Sequence, residues 1–460
     1  MLKVGPIGGR SPAVVPNKKD KIMKAEDSHD LTRVGPGTVM GDFMRQYWMP
    51  AIQSKELEAD GDPVRIMLLC EKLIAFRDSQ GRVGILDQRC PHRCASLFLG
   101  RNEDNGIRCV YHGWKFDVEG NCLEMPNVPV DFRFEPRVKA EAYKTHEANG
   151  IVWVYMGPNQ DAPPPLPLIE AAMAEDAEIW CLMRDCNWMQ ALEGDIDTSH
   201  VGFLHVGSLE LDDLDDDHPM RPTILNRAPE YKVQPSDWGV MYGGYRENDD
   251  GQMSWRVAHY MFPFWTQTPN NRFHSRAIAR AWVPIDDEHS MLFDITCGSD
   301  EGNPAYKSRR KTGELLFEKF DYAPNGTGFY DRWRCVDDVH NDWGIDRESQ
   351  RDGTQYTGIA NITMQDQAVT ESMGGITDHG FEHLAPSDAM VARTRRRVLT
   401  AARALREEGT VPPGVSDPEV FYRARAGSFL HNPDDSLDEA YRAALSEAER
   451  YGSKTPEPAE

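Results

Sequence analysis

Two groups of residues in this chain have types and spacings that do metal chemistry. The first is Cys90 and His92, followed sixteen residues later by Cys109 and His112. Thiolates and imidazoles suit zinc and iron–sulfur centres. A structural zinc site with two Cys and two His usually places a Cys pair first and a His pair later. Here each half supplies one Cys and one His. Two loops approaching from opposite sides would then give each of two metals one ligand apiece. A [2Fe–2S] cluster with both thiolates on one iron and both imidazoles on the other requires that arrangement. Imidazole ligation raises its potential to roughly −150 to +300 mV, so it accepts electrons and still passes them on.

A cluster of that kind only moves electrons, so a terminal site is expected downstream. The stretch NWMQALEGDIDTSHVGFLH (187–205) contains Asp197, His200 and His205. On a helix, Glu193 and Asp197 would share the face of His200. His200 and His205, five apart, would diverge by about 140° on a regular α-helix. Their convergence therefore needs a helix end or a π-type bulge, a distortion frequent at functional sites. A mononuclear Fe(II) oxygenase site needs a carboxylate besides two imidazoles. Asp366 is the first candidate, in NITMQDQAVTESMGGITDHGFEHL, with Glu371 and Asp378 as weaker ones.

The elements that must position these groups are partly legible. Strand signals occur at 64–70, 73–77, 83–87 and 150–155, and a helix is expected over 41–47. Residues 1–30, polar and bearing Gly and Pro, read as a poorly ordered arm. The run GPNQDAPPPLP (157–167) favours an extended connector and marks a boundary. Beyond it YGGYR, WRVAHYMF and RAIARAWVPI read as strands of one antiparallel sheet. A helix is expected over 387–408, with Val391, Thr394, Val398, Ala402 and Leu405 on one face and Gly409 ending it. Ser436 and Glu439 form a capping box opening a last helix that should stop near Gly452.

Composition narrows the function. With 460 residues, two domains are expected. A net charge of −23 argues against nucleic-acid binding. There is no continuous apolar run of membrane-spanning length and no secretory leader pattern, so no membrane association is expected. Nine cysteines, an odd number, do not suggest a disulfide scaffold and fit a reducing, cytoplasmic setting.

Extended to CPHR and YHGWKFD, the first motif resembles the Rieske signature. One departure is Cys94, where relatives usually carry Gly; a packed thiol is expected there. With LTRVGPGT (31–38), ALEGDIDTSHVGFLH, WVPIDDEH (282–289) and QDQAVTESMG (365–374), the chain resembles the catalytic (α) subunits of Rieske non-haem iron aromatic-ring-hydroxylating oxygenases. Within them it is most similar to the phthalate dioxygenase-like group. The resemblance implies an α+β chain: an N-terminal arm and helix start at 1–41, an all-β Rieske [2Fe–2S] domain at 42–157, and a catalytic domain at 158–460. The last would be a helix-grip-like antiparallel sheet with helices holding a mononuclear Fe(II).

Cys90, His92, Cys109 and His112 would hold the cluster, and His200, His205 and Asp366 the mononuclear iron. Asp197 would link His200 to His112 of a neighbouring subunit. Implied partners are O2, an aromatic and probable carboxylate-bearing substrate, an NADH-dependent flavin/iron–sulfur reductase or a ferredoxin, and further copies in a homotrimer or a multiple of it. The expected reaction is hydroxylation or O-demethylation. The competing readings are a Rieske monooxygenase acting on a quaternary ammonium compound, a non-catalytic electron carrier, and a zinc-stabilised binding module.

Substrate contacts are weakly marked. Arg227, Arg246, Arg256 and Arg280 are expected first as surface ion-pair residues and only second as anchors for an anion. Trp188, Phe203, Met261, Phe262, Phe264 and Trp265 are expected mostly as core. The acidic run ELDDLDDDH (210–218) is expected as a solvated loop, with a lid as the alternative.

Overall fold

The computed structural model describes residues 23–216, 218, 220–247, 251–269, 272–298 and 308–452. Two antiparallel sheets build the N-terminal part. The larger runs in the order Trp48–Gln53, Ile151–Tyr155, Ala142–Ala148, Val83–Asp87, Glu71–Arg77, Val64–Leu68. Three of its inner strands, Ile151–Tyr155, Val83–Asp87 and Glu71–Arg77, are rich in Val, Ile, Leu and aromatic residues, which fit a pleated, buried surface. The smaller sheet joins Arg101–Glu103, Gly106–Arg108, Lys115–Phe116 and Cys122–Glu124. The two Cys–His loops flank strands of this small sheet. Cys90, Cys109 and Trp114 are buried with Ile74, Phe76, Leu97, Ile107 and Phe116 in a core separate from the main one.

The C-terminal part is built on an eight-stranded antiparallel sheet. Its main path is Glu178–Arg184, Ser290–Gly298, Arg276–Pro284, Trp265–Gln267, Met253–Met261, Gly239–Glu247, Glu230–Ser236; Gly427–His431 also pairs with Met253–Met261. The helices Trp188–Ile196 and Ile362–Glu371 carry the second motif, and Ala389–Glu408 packs its apolar stripe against the sheet. Gly409 ends that helix in the left-handed region, φ +68°. The connector after Gly157 is pinned, with Trp48 Nε1 donating to the Pro164 carbonyl at 2.6 Å. Across the two parts, Trp153 stacks on Trp265 at 5.9 Å, and Leu69 N donates to the Pro284 carbonyl.

Two expectations are corrected here. Residues 25–30 are not a loose arm: Ala25–Thr32 is a helix whose last residues are buried. Its C-terminal carbonyls accept from the motif helix, Leu31 from Trp188 Nε1 and Thr32 from Asn187 Nδ2. With a single large apolar residue, Leu31, it has no periodic stripe to read. Residues 1–22 lie outside the described ones. The last helix opens on Ser436 as expected but stops at Glu447, short of Gly452. The chain turns extended at Ala448 because the next backbone N–H, of Glu449, bonds the His274 carbonyl.

Candidate metal centres

The two Cys–His loops fold alike. Cys90 N donates to the Ala95 carbonyl and Cys94 N to that of Cys90, at 2.8 and 2.9 Å. Cys109 N donates to the Trp114 carbonyl and Gly113 N to that of Cys109, again at 2.8 and 2.9 Å. In each loop the residue four after the cysteine has positive φ: Cys94 at +59° and Gly113 at +79°. This explains why Gly suits position 94. It also corrects the expectation of a packed thiol, because the left-handed turn leaves Cys94 exposed.

The loops bring Cys90 and Cys109, both buried, together with His92 and His112, whose rings lie 4.5 Å apart. Trp114 stacks on His92 at 4.3 Å and 8°, fixing its plane. His112 Nδ1 is buried with no hydrogen-bond partner among the described residues. An orphaned nitrogen of this kind is what a metal ligand looks like without its metal. Burial pushes the Cys90 thiol up to about 12, with neighbouring Cys109 adding to the rise. Without a metal the cysteine therefore stays protonated, and metal binding releases the proton. The residues fit a [2Fe–2S] cluster.

The second motif leaves its helix at Ile196, and Asp197 is already extended. Asp197 and His200 thus do not share a helical face. Nor does Glu193 face them: it binds Arg395, whose Nε and Nη2 donate at 2.5 and 2.6 Å. Val201–His205 forms a π turn, one of the two distortions that the five-residue spacing calls for. His200 Nε2 and His205 Nε2 consequently lie 3.1 Å apart. Asp366 Oδ1 lies 3.3 Å from His205 Nε2 and 3.7 Å from His200 Nε2. Two nitrogens each about 2.1 Å from one ion, at a right angle, would be about 3.0 Å apart. The three groups fit a two-His, one-carboxylate site with open positions. Against the effect of burial, the two imidazoles hold the Asp366 carboxyl well below its usual range.

The far sides of the rings are held differently. Asp197 Oδ2 lies 3.4 Å from His200 Nδ1, while Asp197 Oδ1 accepts from Ser199 N and Oγ at 2.7 Å each. His205 Nδ1 bonds Gln365 Oε1 at 2.8 Å. The weaker carboxylate candidates do not join the site. Glu371 accepts from Asp185 N, Trp343 Nε1 and Gln367 Nε2, and Asp378 caps Gly380 N.

The arginines differ from expectation. Arg280 is interior, paired with Asp195 at 2.5 Å and Asp294 at 2.6 Å. Arg246 is buried against the Asn226 carbonyl, and burial and Arg256 draw it down to about 10. Arg256 Nε faces Thr198 Oγ1 at 3.3 Å, and burial lowers Arg256 too. Only Arg227 borders an open hollow, with Phe203 under its guanidinium at 5.4 Å and His200 on the same wall. Trp188, Met261, Phe262, Phe264 and Trp265 are core, whereas Phe203 is half exposed. The acidic run is solvated as expected at Glu210, Asp212, Asp215 and Asp216, which are exposed, and it is pinned by buried Leu214 and by Asp213, which pairs with Arg310 at 3.2 Å. Its residue 217 lies outside the described ones.

Sequence reasoning missed Gln365 and Arg184. Gln365 directly precedes Asp366, an adjacency that was the available signal. Arg184 had none. It closes the strand Glu178–Arg184 and lines a small enclosed cavity with Asp366, Trp180, Trp282 and Leu292. A larger hollow of about 610 Å³ beside Arg65 and Phe98 contains none of the metal-site residues.

Two family models match the chain: the Rieske [2Fe-2S] domain over residues 47–138 and the LigXa C-terminal domain like family over 154–429. The 3-chlorobenzoate-3,4-dioxygenase oxygenase subunit of Comamonas testosteroni is 45% identical over 425 residues, covering 91% of this chain and 98% of that protein. The phthalate 4,5-dioxygenase oxygenase subunit of Pseudomonas putida is 35% identical, covering 83% and 87%. Among solved structures, dicamba monooxygenase bound to dicamba is similar with a TM-score of 0.53 at 16% identity, covering 79% of this chain and 98% of that one; this likeness concerns the fold. No helix among the described residues is long and apolar enough to cross a membrane. The chain belongs to the Rieske non-haem iron oxygenases, as an oxygenase subunit combining a Rieske [2Fe–2S] domain with a mononuclear-iron domain.

Proposed function

We propose that the chain hydroxylates or O-demethylates an aromatic, carboxylate-bearing substrate, using O2 and electrons from an NADH-dependent reductase, directly or through a ferredoxin. The observation that carries the reading is the convergence of His200 Nε2, His205 Nε2 and Asp366 Oδ1 on one point beside an enclosed cavity. When bound, the cluster supplies single electrons and the mononuclear iron supplies O2 activation. Cys90, Cys109, His92 and His112 hold the first; His200, His205 and Asp366 hold the second. The relatives named for 3-chlorobenzoate and phthalate, both aromatic acids, support the substrate class.

The protein side of the reaction is positional. The π turn and the helix Ile362–Glu371 aim three ligands at one point and leave the cavity side open. Trp180, Trp282 and Leu292 provide the apolar part of the cavity wall. Asp197, with one oxygen toward His200 and the residue itself a quarter exposed, reaches outward to His112 of a neighbouring copy. A homotrimer or a multiple of it places one copy's cluster beside the next copy's iron, since head-to-tail contacts close into rings. The connector at 157–167 divides the two domains, and a reducing cytoplasm keeps the cysteines other than Cys90 and Cys109 as thiols.

The test is metal analysis joined to turnover. The oxygenase reading expects about three irons per chain, two in the cluster and one mononuclear, and oxygenated product from an aromatic acid. Zinc in place of iron, or two irons and no product, rejects it. Turnover of a quaternary amine in preference to aromatic acids favours the ammonium reading.

A further inference from the structure

Resting on the proposed aromatic-acid reading, we infer that Arg184 is the carboxylate anchor of the substrate site. Its side chain is buried, yet Nε and Nη1 have no hydrogen-bond partner among the described residues. Nη2 reaches only the Thr363 carbonyl, at 3.5 Å. No carboxylate oxygen among the described residues lies within ion-pair distance of it; the nearest counter-charges, Glu371 and Asp366, act on it only through space. Buried guanidinium N–H groups left this way are costly unless an acceptor reaches them.

The surroundings say what that acceptor is. Arg184 lines the same enclosed cavity as Asp366, so an occupant touching the guanidinium lies next to the metal-binding carboxylate. The other charges there are committed. Arg280 is held by Asp195 and Asp294, and both oxygens of Glu371 are taken by three neutral donors, so Glu371 offers Arg184 charge but no hydrogen bond. Asp366 carries one negative charge toward a divalent ion, so it does not balance Arg184 as well. Nε and Nη1 lie on different edges of the guanidinium, each completed by Nη2, which carries a second hydrogen besides the one toward Thr363; an anion with two acceptor oxygens matches either edge. Trp180, Trp282 and Leu292 give the wall an apolar side, with Trp282 under the guanidinium at 5.6 Å, and Thr363 and Thr370 complete it. An aromatic ring carrying a carboxylate satisfies both halves. The space is tight, with room for water centres over only about 30 Å³, so ring entry requires the walls to part. Of the three apolar wall residues Trp180 is the half-buried one, with solvent on one side.

The inference separates two roles. A structural arginine stabilises the empty protein; an anchor burdens it and is relieved by ligand. The experiment measures thermal unfolding and equilibrium binding for the metal-loaded wild type and Arg184→Met, with benzoate, 3-chlorobenzoate and phthalate as probes and benzamide and methyl benzoate as uncharged counterparts. Wild type should bind at least one acid and be stabilised by it, and should bind the uncharged counterparts at least ten-fold more weakly. Arg184→Met should match or exceed the melting temperature of empty wild type and lose acid affinity by roughly ten- to hundred-fold. Arg184→Lys should restore part of it. Equal acid affinity in wild type and Arg184→Met overturns the anchor and leaves the aromatic-acid reading standing. A lower melting temperature with unchanged acid binding overturns it in favour of a structural role. Failure of every acid to bind wild type overturns the aromatic-acid reading and the anchor together. Should Arg184→Met fail to fold, the wild-type contrast of acid against amide decides: no preference for the acid ends the inference.

Discussion

Gln365 accepts the Nδ1 proton of His205 at 2.8 Å, and the same amide donates its Nε2 to the Ile359 carbonyl at 2.7 Å. The second bond fixes which end of the amide faces the histidine. An oxygen there requires a proton on Nδ1, which leaves the Nε2 lone pair for the metal. One helix therefore supplies a ligand, Asp366, and the group that sets the tautomer of another.

Gln365→Leu should keep the cluster's visible spectrum but lose mononuclear iron. Removing partners of ligating imidazoles typically costs 10- to 100-fold, on the order of that range in metal affinity or activity. Gln365→Glu, which keeps an acceptor, should retain more iron than the leucine variant. Iron titration of the metal-free proteins measures the difference, and equal affinities in all three would remove Gln365 from the site.

Asp197 has two bonding roles that variants can part. Ser199→Ala deletes one of the local bonds while leaving the carboxylate beside His200. Asp197→Ala deletes both. If the carboxylate carries electron transfer between subunits, only Asp197→Ala should slow cluster reoxidation in a single turnover with substrate and O2. A purely local turn role predicts instead a stability loss of roughly 0.5–2 kcal/mol and normal reoxidation.

Cys94→Gly should stabilise the protein. A non-glycine residue in the left-handed region costs roughly 1–2 kcal/mol, offset by the greater freedom of glycine in the unfolded chain, for a net gain of about 0.5–1 kcal/mol. Calorimetry should show the higher melting temperature, with an unaltered cluster spectrum. Loss of colour would mean that the sulfur of Cys94 serves the cluster.

His259 gives the fold a dependence on pH remote from the metals. It is fully buried, accepts from Trp238 Nε1 at 3.1 Å and donates to the Arg425 carbonyl at 2.9 Å. Both nitrogens are satisfied only in the neutral ring, and burial lowers its pKa from 6.5 to about 4. With the folded value depressed, its contribution is complete above pH 6.5 and is lost as the pH falls from there toward 4. The loss approaches on the order of 3 kcal/mol at the acid end. Urea unfolding at pH 7 and at pH 4.5 should show a gap between wild type and His259→Gln that narrows on acidification; a constant gap rejects this origin.

The metal ligands were legible because their constraints are local. Cys90 with His92 and Cys109 with His112 lie within single turns, and the spacing of His200 and His205 called for a helix end or a π-type bulge; the chain has both, since the helix ends at Ile196 and Val201–His205 is the π turn. The strands were legible where runs such as 83–87 are wholly apolar on one face. What escaped depends on distant partners. Glu193 turns away because Arg395, far along the chain, draws it. Arg280 reads as a surface residue until Asp195 and Asp294 enclose it. Arg184 is distinguished by partners it lacks, which no sequence pattern records.

The π turn has a meaning for ancestry. On a regular helix, residues four apart diverge by only about 40°, so an imidazole pair at that spacing already converges. The turn Val201–His205 puts one residue more than that spacing between the two imidazoles, and Phe203, within it, is half exposed over the open hollow. Lineages of this segment should tolerate a one-residue gap better than a one-residue gain. A library of single-codon deletions and insertions across 201–204 should recover iron-binding clones from the deletions far more often than from the insertions.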